Sequence, residues 1–193
     1  MIAAILIGRK GSSGLPGKNT MELANRPMTW WPLDAARQTP EIEHIYVSTD
    51  DPEIVEVAQE FDATIIDRPQ HLATQEALGD DAYLHAHTVI RDELSHQGKE
   101  PELYVLLMAN AVTISPHLLS EGIQPLRQDP SLHSAVTVPR YSMWSPLRAR
   151  RITDEGILQP FVPFETFGDP ATLDCDRVSQ GDVWFADMGV SIV

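Results

Sequence analysis

The segment Ile2–Ile7 is apolar throughout, and it breaks at once into Gly8-Arg9-Lys10-Gly11-Ser12-Ser13-Gly14-Leu15-Pro16-Gly17-Lys18-Asn19. An uninterrupted apolar run of strand length must be covered on both of its faces, which is the condition of a strand inside a parallel sheet. The glycine-dense loop that follows exposes successive backbone N–H groups at the strand end, a natural cradle for an anion. Arg9, Lys10 and Lys18 add positive charge there, in a chain with 14 Lys+Arg against 28 Asp+Glu and a formal net charge of -14. Concentrating scarce cations beside such a cradle points to a bound anion, with phosphate the leading candidate. The plainer alternative is a basic surface turn.

The rest of the first half repeats the alternation of strand and helix. Pro27–Gln38, Pro52–Phe61, Ala77–Leu94 and Pro116–Arg127 carry helical patterns. Ile45–Val47, Ala63–Ile66, Leu103–Met108 and Ser134–Val138 read as strands between them. This rhythm predicts an α/β fold: three layers, α/β/α, around a mostly parallel, Rossmann-like sheet. At 193 residues the chain is expected to form one domain, long enough to bury about 70% of its unfolded surface. The rhythm changes near Pro139. Residues 139–182 hold Pro139, Pro146, Pro160, Pro163 and Pro170, several arginines, and a hairpin pattern around Asp154-Glu155-Gly156. Trp144, Leu147, Ile152, Leu158, Phe161, Val162, Phe164 and Phe167 are interleaved with these prolines, as expected of a projecting arm that contacts a second subunit in a homodimer. A lid folded over the chain's own crevice is the alternative. Val183–Ala186 and Gly189–Val193 return to strand composition.

Two common phosphate motifs do not fit. A P-loop would need Gly where Ser12 stands and a hydroxyl where Asn19 stands. A dinucleotide fingerprint needs Gly-x-Gly-x-x-Gly, whereas the glycines here are Gly8, Gly11 and Gly14, with no acidic residue at the end of a second strand about 20 residues on. ATPase and dehydrogenase chemistry are thereby disfavoured. Arg9-Lys10-Gly11-Ser12-Ser13-Gly14-Leu15-Pro16-Gly17-Lys18-Asn19 instead resembles the signature loop of the acylneuraminate cytidylyltransferases, although Ser13 stands where that pattern usually has Lys. The similarity continues through Ile45–Asp51, Asp67-Arg68-Pro69 and Leu72-Ala73-Thr74, and loosens from about Met108.

That resemblance implies transfer of CMP from CTP to a sialic-acid-like 2-keto sugar acid, with release of pyrophosphate. It implies that Arg9 and Lys18 bind the triphosphate and neutralise the developing charge, as the residues carrying catalysis. The backbone N–H groups of Lys10, Gly11 and Ser12 would hold phosphate oxygens, and Asn19 and Arg68 the ribose or cytosine, with the turn at Gly79 near the base. Arg140, Arg148 and Arg177 are candidates for the sugar carboxylate, which favours a bidentate cation. Met108-Ala109-Asn110 stands where the resembled family usually has Gln-Pro-Thr or Gln-Gly-Asp, so the departure bears on the identity of the sugar. Mg²⁺ is expected as cofactor, and the resemblance places its Asp pair in a segment beyond Val193; the apolar end Val190–Val193 accordingly reads as a truncation or else leaves the metal site incomplete. A catalytically silent nucleotide-binding or assembly module, or a transferase for another sugar or nucleotide, is the competing class.

Other residues have plainer readings. Asp50-Asp51 reads as a helix N-cap pair before a metal pair, and Trp30-Trp31 as core before a stacking platform. His85 and His87 are two apart on a helix and face different ways. Asp174 and Asp176 read as solvated. The single Cys175 has no disulfide partner and no zinc-ligand companion. The absence of a basic n-region and of a membrane-length apolar run predicts a cytoplasmic chain with no membrane partner. The acidity predicts no nucleic-acid partner.

Overall fold

The computed structural model describes residues 1–11, 14–141, 145–174, 182–187 and 189–193. The described chain divides into two compact units, Met1–Thr137 with Met188–Val193, and Val138–Asp187.

In the first unit, β1 (Ile2–Ile7) is followed by a short hairpin, β2 (Glu22–Leu23) and β3 (Arg26–Pro27). Then come α1 (Trp30–Arg37), β4 (Ile42–Thr49), α2 (Pro52–Gln59), β5 (Thr64–Asp67), α3 (Gly79–Ser95), β6 (Leu103–Met108), α4 (Pro116–Gln128) and β7 (Ala135–Val136). The six-stranded sheet has the order β5-β4-β1-β6-β10-β7, where β10 is Val190–Ile192. β1 pairs in parallel with β4 and β6, and β4 with β5. β10 is antiparallel to both β6 and β7.

The alternation of β1 explains the layering. Ile2, Ala4 and Leu6 face one core together with Leu33 and Ala36 of α1, Ile54 and Ala58 of α2, and Leu119 and Ile123 of α4. Ala3, Ile5 and Ile7 face the other, packed on Ala82, Ala86, Ile90 and Leu94. Those four residues recur every fourth position and form the buried stripe of α3. All six residues of β1 are buried, so the expected three-layer arrangement around a mostly parallel sheet is what the chain adopts.

The helix starts follow local chemistry. Asp51 caps α2 by accepting from the Glu53 N–H at 3.0 Å, with Pro52 in the first turn. Ser115 caps α4 by accepting from the Leu118 N–H at 3.3 Å. One expected boundary shifts. The helix anticipated from Pro27 starts at Trp30, because Pro27 is the last residue of β3 and pairs with Glu22. Ala24 and Asn25 between β2 and β3 both have positive φ, +51° and +65°, the backbone of a tight type I′ turn without its usual glycine. The strand expected over Val183–Ala186 is reduced to one bridge, Arg140 with Trp184, in the second unit. That unit also holds an antiparallel hairpin of β8 (Arg150–Ile152) and β9 (Leu158–Pro160), turned at Gly156 with φ +78°. The Arg150 guanidinium lies 5.3 Å from the centre of the Phe164 ring. No described helix is long and apolar enough to cross a membrane.

Candidate active site

Parallel sheets collect ligands beyond the carboxyl ends of their strands. An open cleft lies at those ends in the first unit. Ile7, Gly8, Arg9, Gly11, Lys18 and Asn19 come from β1 and its loop. Arg68 follows β5, and Leu72, Ala77, Leu78, Gly79 and Ala82 lead into α3. Met108 ends β6, with Asn110 two residues on.

The strand ends are tied together at Ser48. Its carbonyl accepts from the Gly8 N–H at 3.2 Å and from a terminal nitrogen of Arg68 at 2.6 Å, and its hydroxyl accepts from Arg68 Nε at 3.3 Å. The close approach requires a glycine: a Cβ on Gly8 would stand 2.7 Å from Ile54 Cδ1 and 2.8 Å from Ala109 Cβ. Arg68 is only 6% exposed, and burial lowers its pKa from the ordinary guanidinium value, partly opposed by the negative charge of Asp50. No described carboxylate within ion-pair distance compensates it. A guanidinium held this way at a cleft wall is suited to an anion or to carbonyl oxygens.

The loop after β1 is folded by its own bonds. Gly11 and Gly17 have φ of +73° and +69°, and the Lys18 N–H donates to the Leu15 carbonyl at 3.2 Å. Asn19 is buried, and its Nδ2 donates to the Arg9 carbonyl at 3.3 Å. The Asn19 carbonyl in turn accepts from the Thr29 N–H at 2.9 Å and from its hydroxyl at 2.7 Å. Arg9 donates to the Gly11 carbonyl at 3.0 Å. The cleft lining therefore gathers three cations, Arg9, Lys18 and Arg68, and no carboxylate. The same lining also holds apolar Leu72, Ala77, Leu78, Ala82 and Met108.

The structure thus brings Arg9, Gly11, Lys18, Asn19, Arg68 and Gly79 to one cleft. Lys10 does not line it. Its N–H, expected to face phosphate, donates instead to Asp50 Oδ1 at 2.8 Å, because the loop passes directly over the end of β4. Ser12 and Arg177 lie outside the described residues, as do Trp144, Cys175 and Asp176. Arg140 belongs to the second unit and is paired with Asp182 at 3.3 Å; Arg148 ends a short 3-10 turn in the same unit. Asp51 serves as helix cap, and Trp30 packs edge-on against Trp31 and Phe61, as their plainer readings had it. The sequence reading did not single out Leu78 or Ala82, whose only signal was their position at and inside the start of a helix.

Among the described residues no group of three or more His, Cys, Asp or Glu could hold a metal ion. With no carboxylate in the cleft lining, the residues present do not fit the magnesium ion that the resemblance implies.

Comparison with known proteins places these features. A family model described as Cytidylyltransferase matches residues 3–137. The N-acylneuraminate cytidylyltransferase of Escherichia coli O18:K1:H7 is 33% identical over 91 residues, 47% of this chain and 22% of that protein. A 3-deoxy-manno-octulosonate cytidylyltransferase of Escherichia coli is 28% identical over 129 residues, 66% of this chain and 47% of that protein. The chain therefore spans less than half the length of either relative. The structure of a CMP:2-keto-3-deoxy-manno-octonic acid synthetase complexed with CTP superposes with a TM-score of 0.65 at 20% identity, covering 99% of this chain and 73% of that one, and so shares its fold. The family match takes in every strand end that builds the cleft, and on that ground this chain belongs to the cytidylyltransferase family.

Proposed function

We propose that the chain transfers CMP from CTP to a 2-keto sugar acid of the sialic-acid type. The observation that carries this reading is the cleft whose described lining holds Arg9, Lys18 and Arg68 and no carboxylate, at the strand ends of a cytidylyltransferase-family sheet. In the reaction the anomeric hydroxyl oxygen of the sugar acid attacks the α-phosphorus of CTP. The new O–P bond forms as the bond from the α-phosphorus to the bridging oxygen breaks, pyrophosphate leaves, and the hydroxyl proton passes to solvent. Little covalent work falls to the protein. Its task is to align the triphosphate and to neutralise charge that shifts onto the leaving group.

The roles follow from placement. Arg9 and Lys18, partly exposed on the loop, hold the triphosphate and the departing pyrophosphate. Arg68, buried and fixed by Ser48, offers its remaining N–H donors to the ribose or the cytosine carbonyl. Gly79, at the start of α3, lets the base approach the backbone. The sialic-acid type of acceptor is supported by the relative at 33% identity and by the loop signature. Pyrophosphate release from CTP with N-acetylneuraminate and with 3-deoxy-manno-octulosonate tests the reading: release with the first acceptor supports it, and release with the second alone overturns the choice of sugar. No release and no CTP binding overturn the function.

We propose also that two copies associate through the second unit. On its hairpin, Ile152 is 72%, Leu158 66% and nearby Phe161 61% exposed, an apolar surface suited to a second copy. Light scattering giving a monomer mass at micromolar concentration overturns this.

A further inference from the structure

One peptide group in the loop after β1 is gripped at both ends. The carbonyl of Arg9 accepts from Asn19 Nδ2 at 3.3 Å, and the N–H of the same peptide, that of Lys10, donates to Asp50 Oδ1 at 2.8 Å. Two side chains on opposite sides therefore set the plane of this peptide. That plane fixes ψ of Arg9 and φ of Lys10, and so the direction in which the Arg9 side chain and the Gly11 backbone leave the strand. Asp50 is itself well placed for this task. The adjacent Asp51 N–H donates to Thr49 Oγ1 at 3.0 Å, and the Asp51 side chain caps α2. The backbone on which Asp50 rides is thus held by the end of β4 and the start of α2. The parallel pairing of Ile7 with Ser48 brings that point beside the loop.

The negative charge of Asp50 favours the charged form of buried Arg68, an effect separate from what its carboxylate oxygen does to the loop. The chemistry available is acceptance of a charge-assisted hydrogen bond from a backbone N–H. Without it, a loop with glycines at 8, 11, 14 and 17 would have to be ordered by the ligand at each binding event.

We infer that Asp50 is a positioning residue, clamping the Arg9–Lys10 peptide together with Asn19 so that Arg9 is aimed into the cleft before CTP arrives. This rests on the cytidylyltransferase reading, and it adds a residue that touches no substrate atom.

The test compares Asp50→Ala with Asp50→Asn. Asparagine keeps an oxygen that accepts from the Lys10 N–H and removes the charge; alanine removes both. The clamp predicts that Asp50→Ala raises the KM for CTP by on the order of tenfold while the KM for the sugar acid stays unchanged. Asp50→Asn should restore most of the loss. If Asp50 acted through charge alone, Asp50→Ala and Asp50→Asn would change the KM for CTP alike, and that result overturns the inference. A fall in kcat with both KM values unchanged marks simple loss of folded protein and also overturns it. Hydrogen exchange at the Lys10 amide needs no substrate: faster exchange in Asp50→Ala, with protection kept in Asp50→Asn, is expected, and equal protection in all three proteins overturns the clamp. If the wild type neither binds CTP nor releases pyrophosphate, the functional reading fails while the exchange experiment still decides the clamp.

Discussion

The two parts of the cleft lining are built by different means. The basic part is mostly one continuous stretch, Arg9 to Asn19, joined by Arg68. The apolar part is assembled from two separated stretches, Leu72 to Ala82 and the end of β6 at Met108. The basic part is held by directed hydrogen bonds, from Arg68 to Ser48 and from Asn19 to Arg9. The apolar part is held by packing, through the stripe Ala82, Ala86, Ile90 and Leu94 that seats α3 on the sheet. Hydrogen bonds fix where charge points, whereas packing fixes only a surface and leaves the chemistry of what lies on it open. On the proposed function, the first part carries the contacts to the triphosphate, and the second leaves room for the acceptor.

Substitutions can separate these roles. The largest effect is expected from Lys18→Ala, which should lower kcat/KM for CTP by about 10²–10³-fold, as removal of one charge-stabilising donor does elsewhere. Its melting temperature should stay within about 2 °C of wild type, since a half-exposed loop lysine contributes little to folding. Pyrophosphate release and a thermal melt on one preparation check both halves; a low-melting variant with normal turnover would place Lys18 in the fold rather than the site.

Gly8→Ala should reverse that pattern. A methyl group 2.7 Å from Ile54 Cδ1 overpacks the junction of β1 with α2. A cost of about 1–3 kcal/mol is expected, seen as a drop of at least about 2 °C in Tm. An unchanged Tm would mean that the strand ends yield more than their bonding to Ser48 suggests.

On the apolar part, Met108→Gln should change the KM for the sugar acid several-fold and leave that for CTP alone, because it replaces a thioether with an amide that donates and accepts. A shift in the CTP constant instead would erase the division between the two parts. The smallest effect belongs to Gly79→Ala. Its new methyl would meet Ile7 Cδ1 at 3.5 Å, an ordinary contact, so Tm should move by no more than about 2 °C. A large loss of CTP binding in that variant would show that the base presses on the backbone there.

The same contrast explains what could be read from the residues alone. β1 and the loop after it were legible because the apolar run, the glycines and the cations are adjacent in the chain. The helix over Ala77–Leu94 was legible because a helical pattern is local, although its buried stripe was not picked out. The clamp at Asp50 was not, because it joins residues 40 positions apart and the Asp50-Asp51 pair reads most simply as a helix cap, which one of the two is. The hairpin of β2 and β3 escaped because Ala24-Asn25 lacks the glycine that usually marks such a turn. The antiparallel sense of β10 has no local signature; it follows from the chain's return to the sheet after residues 138–187.

That return has a consequence for how such a protein can change over time. The Thr137 N–H donates to the Val190 carbonyl at 3.2 Å, and the Val190 N–H to Thr137 Oγ1 at 3.2 Å. The exit and re-entry points of the excursion are therefore stitched side by side, by bonds at the edge of the sheet. Doubling the length of a flexible segment between pinned ends costs only about 0.6 kcal/mol of closure entropy. The stretch between the two stitches can lengthen, shorten or be exchanged by recombination while the sheet stays in register. A lineage built on this sheet is free to remodel its second unit without disturbing the strand ends that line the cleft.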